Sequence, residues 1–376
     1  MITCQEMYQA TQKHEFTFFA GVPDSTFKEW LKFLDQGEGN FQHIATSNEA
    51  DAIAMASGYH LATGKTAVAY MQNSGLGNAV NPLTSLVDKE VYSIPMILLI
   101  GWRGMPGVKD EPQHIKMGRI MLPMLDVLEI PYTILSEEAN EMEQAWAKAK
   151  EYTQANKAPY AIILRPGIFA PYQSPKKSQN SWELERERAI QIILSFLSEK
   201  HAIVSTTGHV SRELYDHREF SKQGHDKDFY TVGSMGCSTA IGIGIALANP
   251  NREVVVFDAD GAALMHLGSW PIAASYKAKN LKHIVFDNEC YESTGAQPSV
   301  SPCVDFAKIA LACGYRNARS ISQEQELKDA IPSLLEEQGP SLLVVKIKKG
   351  HRADLGRPKT KPVENKAAFM DFLAKK

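Results

Sequence analysis

Short apolar runs, continuous and not alternating, recur along the chain and fix its fold class. They occupy residues 66–71, 95–100, 160–164, 202–205, 253–257, 283–286 and 341–347. A strand with one wet face alternates apolar and polar residues. A strand covered on both faces need not, so these runs predict parallel strands buried between helices. Helical periodicity fills the intervals 49–63, 138–155, 183–198, 239–248 and 323–337. Strand, helix, strand repetition predicts an α/β protein built on doubly wound parallel sheets.

A length of 376 residues exceeds one compact core and predicts two domains. The clearest break is the polar stretch 171–181, which carries Pro171 and Pro175 near mid-chain and reads as a linker. The expected division is a first domain over 1–172, a linker over 173–182 and a second domain over 183–376. The basic, proline-containing stretch 348–366 reads as a solvated tail more than an anion-binding arm. A formal net charge of −3 gives no general attraction to nucleic acid or anionic membrane. An anionic substrate would therefore need a local cationic site. Cys4, Cys237, Cys290, Cys303 and Cys313 are scattered without a CxxC pair, which argues against a disulfide framework and a structural zinc site. The first residues do not read as a signal peptide and no apolar stretch is long enough for a bilayer, so a cytoplasmic protein is expected.

Two strand ends carry the strongest chemical signal. The run Val254-Val255-Val256-Phe257 ends in Asp258-Ala259-Asp260-Gly261-Ala262-Ala263, and His283-Ile284-Val285-Phe286 ends in Asp287-Asn288. At the carboxyl ends of two parallel strands Asp260 and Asn288 can point into one crevice, where such sheets bind ligands. Mg²⁺ takes oxygen ligands and commonly borrows some from phosphates, so a carboxylate and an amide oxygen suit it. Gly261 and Ala262 add little bulk, which leaves their N–H groups open to phosphate oxygens. Asp-Gly after a strand is, read alone, a turn; the paired strand ends are what make the pattern specific.

These segments resemble the GDG…NN motif of thiamine-diphosphate enzymes, with Ala259 in place of the first glycine and Asp287 in place of the first asparagine. The resemblance implies thiamine diphosphate and Mg²⁺ as cofactors, with the metal on Asp260, Asn288 and the backbone carbonyl of Cys290. It places the diphosphate-binding domain in the second half. The segment Ser47-Asn48-Glu49-Ala50-Asp51-Ala52 resembles the family's glutamate helix. Glu49 would then be catalytic, hydrogen-bonding the aminopyrimidine ring and tuning the cofactor's own proton transfer. Read alone, Asn48 is a helix cap and Glu49 a charge suited to a helix start. Gly233-Ser234-Met235-Gly236 is similar to the family's GSMG segment. By that likeness the Gly233 carbonyl would accept from the 4′-amino group and Met235 would wedge between the cofactor rings. Met235 taken alone is an ordinary core filler. The family's middle domain has no room in the linker, and the resemblance implies a homo-oligomer with cofactor sites between chains.

Four further segments narrow the group. Residues 20–25 resemble the family's first active-site loop, and 101–114, 205–214 (with Gly208 at the cofactor) and 291–298 resemble the family members that decarboxylate phosphonopyruvate; sulfopyruvate decarboxylases share much of the pattern. The implied substrate is a small 2-oxo acid bearing a phosphonate. A dianion in a water-poor cleft needs cations and N–H donors. Arg103, Lys109 and His114 are expected on one Gly/Pro-rich loop after a strand and are candidates between which the residues do not choose. His114 also suits proton transfer, with Asp24 and Ser25 as further candidates. A cofactor-binding regulatory protein without turnover is the alternative of another class. A plain nucleotide-binding protein is disfavoured, because GxGxxG and GxxxxGK[ST] follow no strand. Gly242 and Gly244 fall within a helical pattern and read as close-packing positions.

Overall fold

The computed structural model describes residues 1–37, 39–174 and 180–375. The chain divides into two compact units, Met1–Lys177 and Ser178–Lys376. The first contains β1 (Phe18–Gly21), β2 (Gln42–Ala45), β3 (Ala67–Gln72), β4 (Met96–Gly101), β5 (Tyr132–Ile134) and β6 (Tyr160–Leu164), all parallel in the order β2-β1-β3-β4-β6-β5. The second contains β7 (His201–Ser205), β8 (Asp228–Tyr230), β9 (Glu253–Ala259), β10 (Leu281–Asp287), β13 (Asn317–Ile321) and β14 (Ser341–Lys346), again all parallel. Its order is β13-β14-β10-β9-β7-β8, and a small antiparallel pair, β11 (Cys290–Tyr291) with β12 (Gln297–Pro298), stands apart. With strands counted from each unit's own start, both sheets run 2-1-3-4-6-5. The two α/β units are doubly wound as expected, with no domain between them.

Each central strand feeds two cores. Val68, Tyr70, Ile97 and Leu99 pack with the helices Cys4–Lys13 and Ala139–Asn156, while Ala69, Met71, Leu98 and Ile100 pack with Glu49–Thr63, Leu76–Ser85 and Pro112–Val127. The second sheet repeats this. Val255, Phe257, Ile284 and Phe286 face Arg186–Phe196, His209–Phe220 and Glu324–Glu336; Val254, Val256 and Val285 face Ser238–Ala248, Ser269–Ser275 and Pro362–Ala374. Two covered faces explain why the runs do not alternate.

The differences from the sequence reading are physical. β2, β5, β8 and β13 lie at sheet edges, are short, and are only partly apolar, so they left no continuous run. The stretch 348–366 is not simply a solvated tail. Leu355 is buried, Arg212 donates to the carbonyls of Leu355 and Gly356, and Asn365 is sewn to β8 through the Tyr230 N–H and the Asp228 carbonyl. The helix that follows buries Phe369 and Phe372. Part of the expected linker, 175–179, lies outside the described residues. On either side of it Tyr172 N–H donates to Glu29 (3.0 Å), and Asn180 Nδ2 donates to the carbonyls of Asn288 (3.2 Å) and Ile347 (2.9 Å). The five cysteines are free, and among the described residues no helix is long and apolar enough to cross a membrane.

Gly242 and Gly244 separate. A Cβ on Gly242 would collide with the Val256 side chain of β9, whereas one on Gly244 meets nothing within 4 Å. Gly242→Ala should therefore destabilise by about 1–3 kcal/mol through overpacking. Gly244→Ala should be neutral or gain up to about 1 kcal/mol of helix propensity. Urea unfolding of the two variants checks the contrast, and equal behaviour would contradict it.

Candidate active site

In the first unit the loops after β1, β3 and β4 lock together at the carboxyl ends of the strands, where the strand order reverses. Asp24, fully buried, follows β1. One carboxylate oxygen accepts from Thr26 N–H (3.1 Å) and caps the short turn Ser25–Phe27; the other accepts from Gln72 Nε2 at the end of β3 (2.7 Å). Any side chain at Gly101, which ends β4, would collide with Asp24. Asn73 exchanges two hydrogen bonds with the Arg103 backbone, donating to its carbonyl (2.8 Å) and accepting from its N–H (3.2 Å).

Arg103 is spoken for. Its Nε (2.8 Å) and Nη2 grip both oxygens of Asp110, and its Nη1 donates to Ser25 Oγ (2.8 Å). Asp110 also accepts from the backbone N–H groups of Gly104 and Glu111 (both 2.7 Å) and pairs with His114 Nδ1 (2.9 Å). Burial alone would raise the Asp110 carboxyl; hydrogen bonds from Arg103, His114 and Gly104 outweigh it and hold the group well below the usual carboxylate range. Burial lowers His114 beneath the usual imidazole value and Arg103 adds to that, against the opposing pull of Asp110. His114 is not on the loop with Arg103 and Lys109, as expected, but in the first turn of the helix Pro112–Val127, and Lys109 is exposed. Asp110, which organises the cluster, lies within the 101–114 segment but was given no role by the sequence reading. Its signal was a carboxylate four residues before a histidine at a helix start.

Glu49 opens the helix Glu49–Thr63, with Asn48 capping it through Ala50 N–H (2.8 Å). The glutamate is buried, and its Oε2 accepts from Asn78 Nδ2 (2.8 Å) on the neighbouring helix Leu76–Ser85. A Cβ at Gly75 would strike the Glu49 carboxyl, so only glycine admits the acid there. Asn78 and Gly75 were not foreseen.

In the second unit the loops after β7, β9 and β10 occupy the corresponding ends. Asp260 and Asn288 are both buried, and Asp260 accepts from the Ser299 hydroxyl. Asp287, at the end of β10, is neutralised by Lys346 Nζ (2.6 Å), its register partner on β14, and accepts from Ser301 Oγ (2.6 Å). The Asn288 amide donates to Glu292 Oε2 (2.9 Å), while its Oδ1 takes the Cys290 N–H (3.3 Å). A Cβ on Gly261 would sit 2.6 Å from the Tyr291 ring, so the backbone there stays bare. Gly208 has φ +92°, Gly236 has φ +83° with the His266 ring against it, and Ser234 has φ +52°. Thr207 Oγ1 donates to the Val232 carbonyl (3.1 Å) and ties the loop of Gly208 to that of Gly233 and the half-buried Met235.

The second unit's donors fit a hard cation. Burial, then the neighbouring Asp287 carboxylate, push the Asp260 carboxyl up to about 7, a position that a cation alongside would reverse. The available donors are oxygens, a carboxylate and an amide, with a bare backbone at Gly261. Among the described residues no three His, Cys, Asp or Glu side chains gather around a metal-sized space. A cation here must therefore complete its shell from amide, carbonyl and ligand oxygens.

Comparison with known proteins agrees with this division. The N-terminal TPP binding domain of thiamine pyrophosphate enzymes matches residues 3–123, and the C-terminal TPP binding domain matches residues 206–345. A phosphonopyruvate decarboxylase of Streptomyces viridochromogenes is 36% identical over 374 residues, covering 95% of this chain and 91% of that protein. The phosphonopyruvate decarboxylase of Streptomyces hygroscopicus is 34% identical over 387 residues, with 99% and 94% covered. A sulfopyruvate decarboxylase of Methanosarcina acetivorans is 28% identical over 357 residues, with 88% of each covered.

The Asp110 cluster yields a titration test. Asp110→Asn removes the charge that favours the His114 imidazolium, so the His114 pKa should fall further below the ordinary histidine value. Histidine NMR titration of both proteins reads this directly, and an unchanged or raised value would contradict the pairing.

Proposed function

Since the chain belongs to the thiamine pyrophosphate enzymes, we propose that it decarboxylates 3-phosphonopyruvate to phosphonoacetaldehyde and CO₂ without oxidation, using thiamine diphosphate and Mg²⁺. The single observation that supports the substrate is the identity of 36% and 34%, over nearly the whole chain, to two phosphonopyruvate decarboxylases. Bound thiamine diphosphate supplies the sink for the electron pair left as CO₂ departs.

The chain's own groups then take these roles. Glu49, steadied by Asn78, hydrogen-bonds the aminopyrimidine ring and sets its protonation. Asp260, the Asn288 amide oxygen and the Cys290 carbonyl hold Mg²⁺, and the bare backbone at Gly261 and Ala262 meets diphosphate oxygens. Gly208 and Ser234 would line the cofactor, the Gly233 carbonyl would accept from its amino group, and Met235 would pack against its rings. Asp24, Ser25 and His114 face proton transfer. Arg103 contributes to the substrate's anion only in competition with Asp110, and exposed Lys109 serves if the loop brings it in. A cytoplasmic homo-oligomer with cofactor sites between chains belongs to the same proposal.

Purified protein given thiamine diphosphate and Mg²⁺ should release CO₂ and an aldehyde from phosphonopyruvate much faster than from sulfopyruvate. Preference for sulfopyruvate would keep the reaction class and overturn the substrate. No turnover of either would leave a cofactor-binding protein. Glu49→Gln should lower kcat by about 10²–10⁴-fold while thiamine diphosphate still binds. Full activity of that variant would remove Glu49 from its role.

A further inference from the structure

We propose that Glu292 is a positioning residue that decides which end of the Asn288 amide is turned toward the cation. The inference rests on Asn288 being a metal ligand through its Oδ1. An asparagine side chain presents an acceptor oxygen on one side and an NH₂ donor group on the other, and only the oxygen can ligate a metal. Nothing intrinsic to the residue chooses between the two orientations. An ionised carboxylate beside one end does, because it accepts and cannot donate.

Glu292 stands in that place. Its Oε2 accepts from Asn288 Nδ2 at 2.9 Å, which commits the NH₂ group and directs Oδ1 the other way. The carboxylate is held on several sides. The same oxygen accepts from Gly350 N–H (2.9 Å) and lies 3.8 Å from Cys290 Sγ, while Oε1 lies 3.6 Å from His351 Nδ1. Its side chain is only 12% exposed, so little of this is lost to water. The His351 ring in turn stacks on that of His209, the residue after Gly208, with centroids 4.0 Å apart. A separate hydrogen bond fixes the Asn288 backbone: Asn180 Nδ2 reaches its carbonyl and that of Ile347. Side chain and main chain of Asn288 are thus set by different contacts, the first by Glu292 at its NH₂ end together with the longer Cys290 N–H bond to Oδ1 (3.3 Å), the second by Asn180. The segment following β14 is tied to the same carboxylate that orients the ligand.

The rival account is that Glu292 merely fastens Gly350. The two separate in a double-substitution cycle. Glu292→Gln keeps size and shape, but its amide can either accept or donate, so it no longer dictates the orientation of Asn288. In an Asn288→Asp background both ends of the side chain are oxygens and orientation ceases to matter.

Mn²⁺ serves as the probe, titrated by electron paramagnetic resonance in the presence of thiamine diphosphate, so turnover is not the readout. Glu292→Gln alone should weaken Mn²⁺ binding by about 10–100-fold, the usual cost of losing a partner that orients a ligand. The same change in the Asn288→Asp background should cost nothing, or improve binding by relieving the new pair of carboxylates. Unchanged affinity in the single variant, or an equal loss in both backgrounds, would overturn the inference; the second result is also what a folding defect from the lost Gly350 contact would give. Asn288→Ala tests the premise separately. If it binds Mn²⁺ as tightly as the unaltered protein, Asn288 is no ligand and the inference falls with that reading. If it binds poorly while Glu292→Gln does not, the ligand stands and only the positioning role is lost.

Discussion

Covering a parallel sheet on both faces leaves its strand ends as the place for polar chemistry, and both units obey that constraint. Val68 to Met71 and Val254 to Phe257 send successive side chains into opposite cores. No polar group along those stretches can reach a ligand without leaving a hole in one core. The loops after the strands carry the polar and backbone groups of the site instead: Asp24 after β1, Asn73 after β3 and Arg103 after β4, then Gly208, Asp260 and Asn288 after β7, β9 and β10. The strand order reverses between the first and third strands of each sheet, which opens the crevice between loops that would otherwise pack side by side.

Burying acids at strand ends is costly unless each is answered, and the answers differ in kind. Asp110 has a guanidinium, an imidazole and two backbone N–H groups. Asp287 has Lys346 directly opposite in register, so its replacement of an amide in the family motif adds no net charge to the sheet. Glu49 has an amide from Asn78 and the positive end of its helix. Asp260 has a neutral hydroxyl, a neighbouring carboxylate that raises it, and no ion pair among the described residues. Of these four acids it is the one raised by burial and by a neighbouring carboxylate while holding only a neutral side-chain partner, an environment that suits a cation from outside the chain.

The sequence made this much legible for identifiable reasons. Central strands were readable because two covered faces produce unbroken apolar runs; edge strands such as Gln42–Ala45 and Asn317–Ile321 were not, because half-exposed residues erase the run. His114 was placed on a Gly/Pro-rich loop, yet proline at the first position of a helix costs no hydrogen bond and starts the helix Pro112–Val127. The basic stretch 348–366 hid its own anchoring, since Leu355 and Asn365 are single residues among charges. Asp260, Asn288 and Glu49 could be named from spacing and resemblance. Asp110 left only the weak signal of an acid four residues before a histidine, and Asn78, Gly75 and Glu292 could not be named, because their contacts join segments or turns whose geometry no local pattern encodes.

The two units therefore show one topology put to two uses. Both run 2-1-3-4-6-5 and both gather the loops after their first, third and fourth strands. In the first unit those loops satisfy one another: Arg103 answers Asp110 and reaches Ser25, Asn73 clasps the Arg103 backbone, and Gln72 answers Asp24. A closed network of that kind holds side chains still and resists solvation changes. In the second, the Glu292 carboxylate takes up the NH₂ end of Asn288, and Asp260 has a hydroxyl partner but no ion pair among the described residues. The fold supplies the position in each case; whether the position becomes a rigid frame or a cation seat follows from how completely the chain has paired its own buried charges.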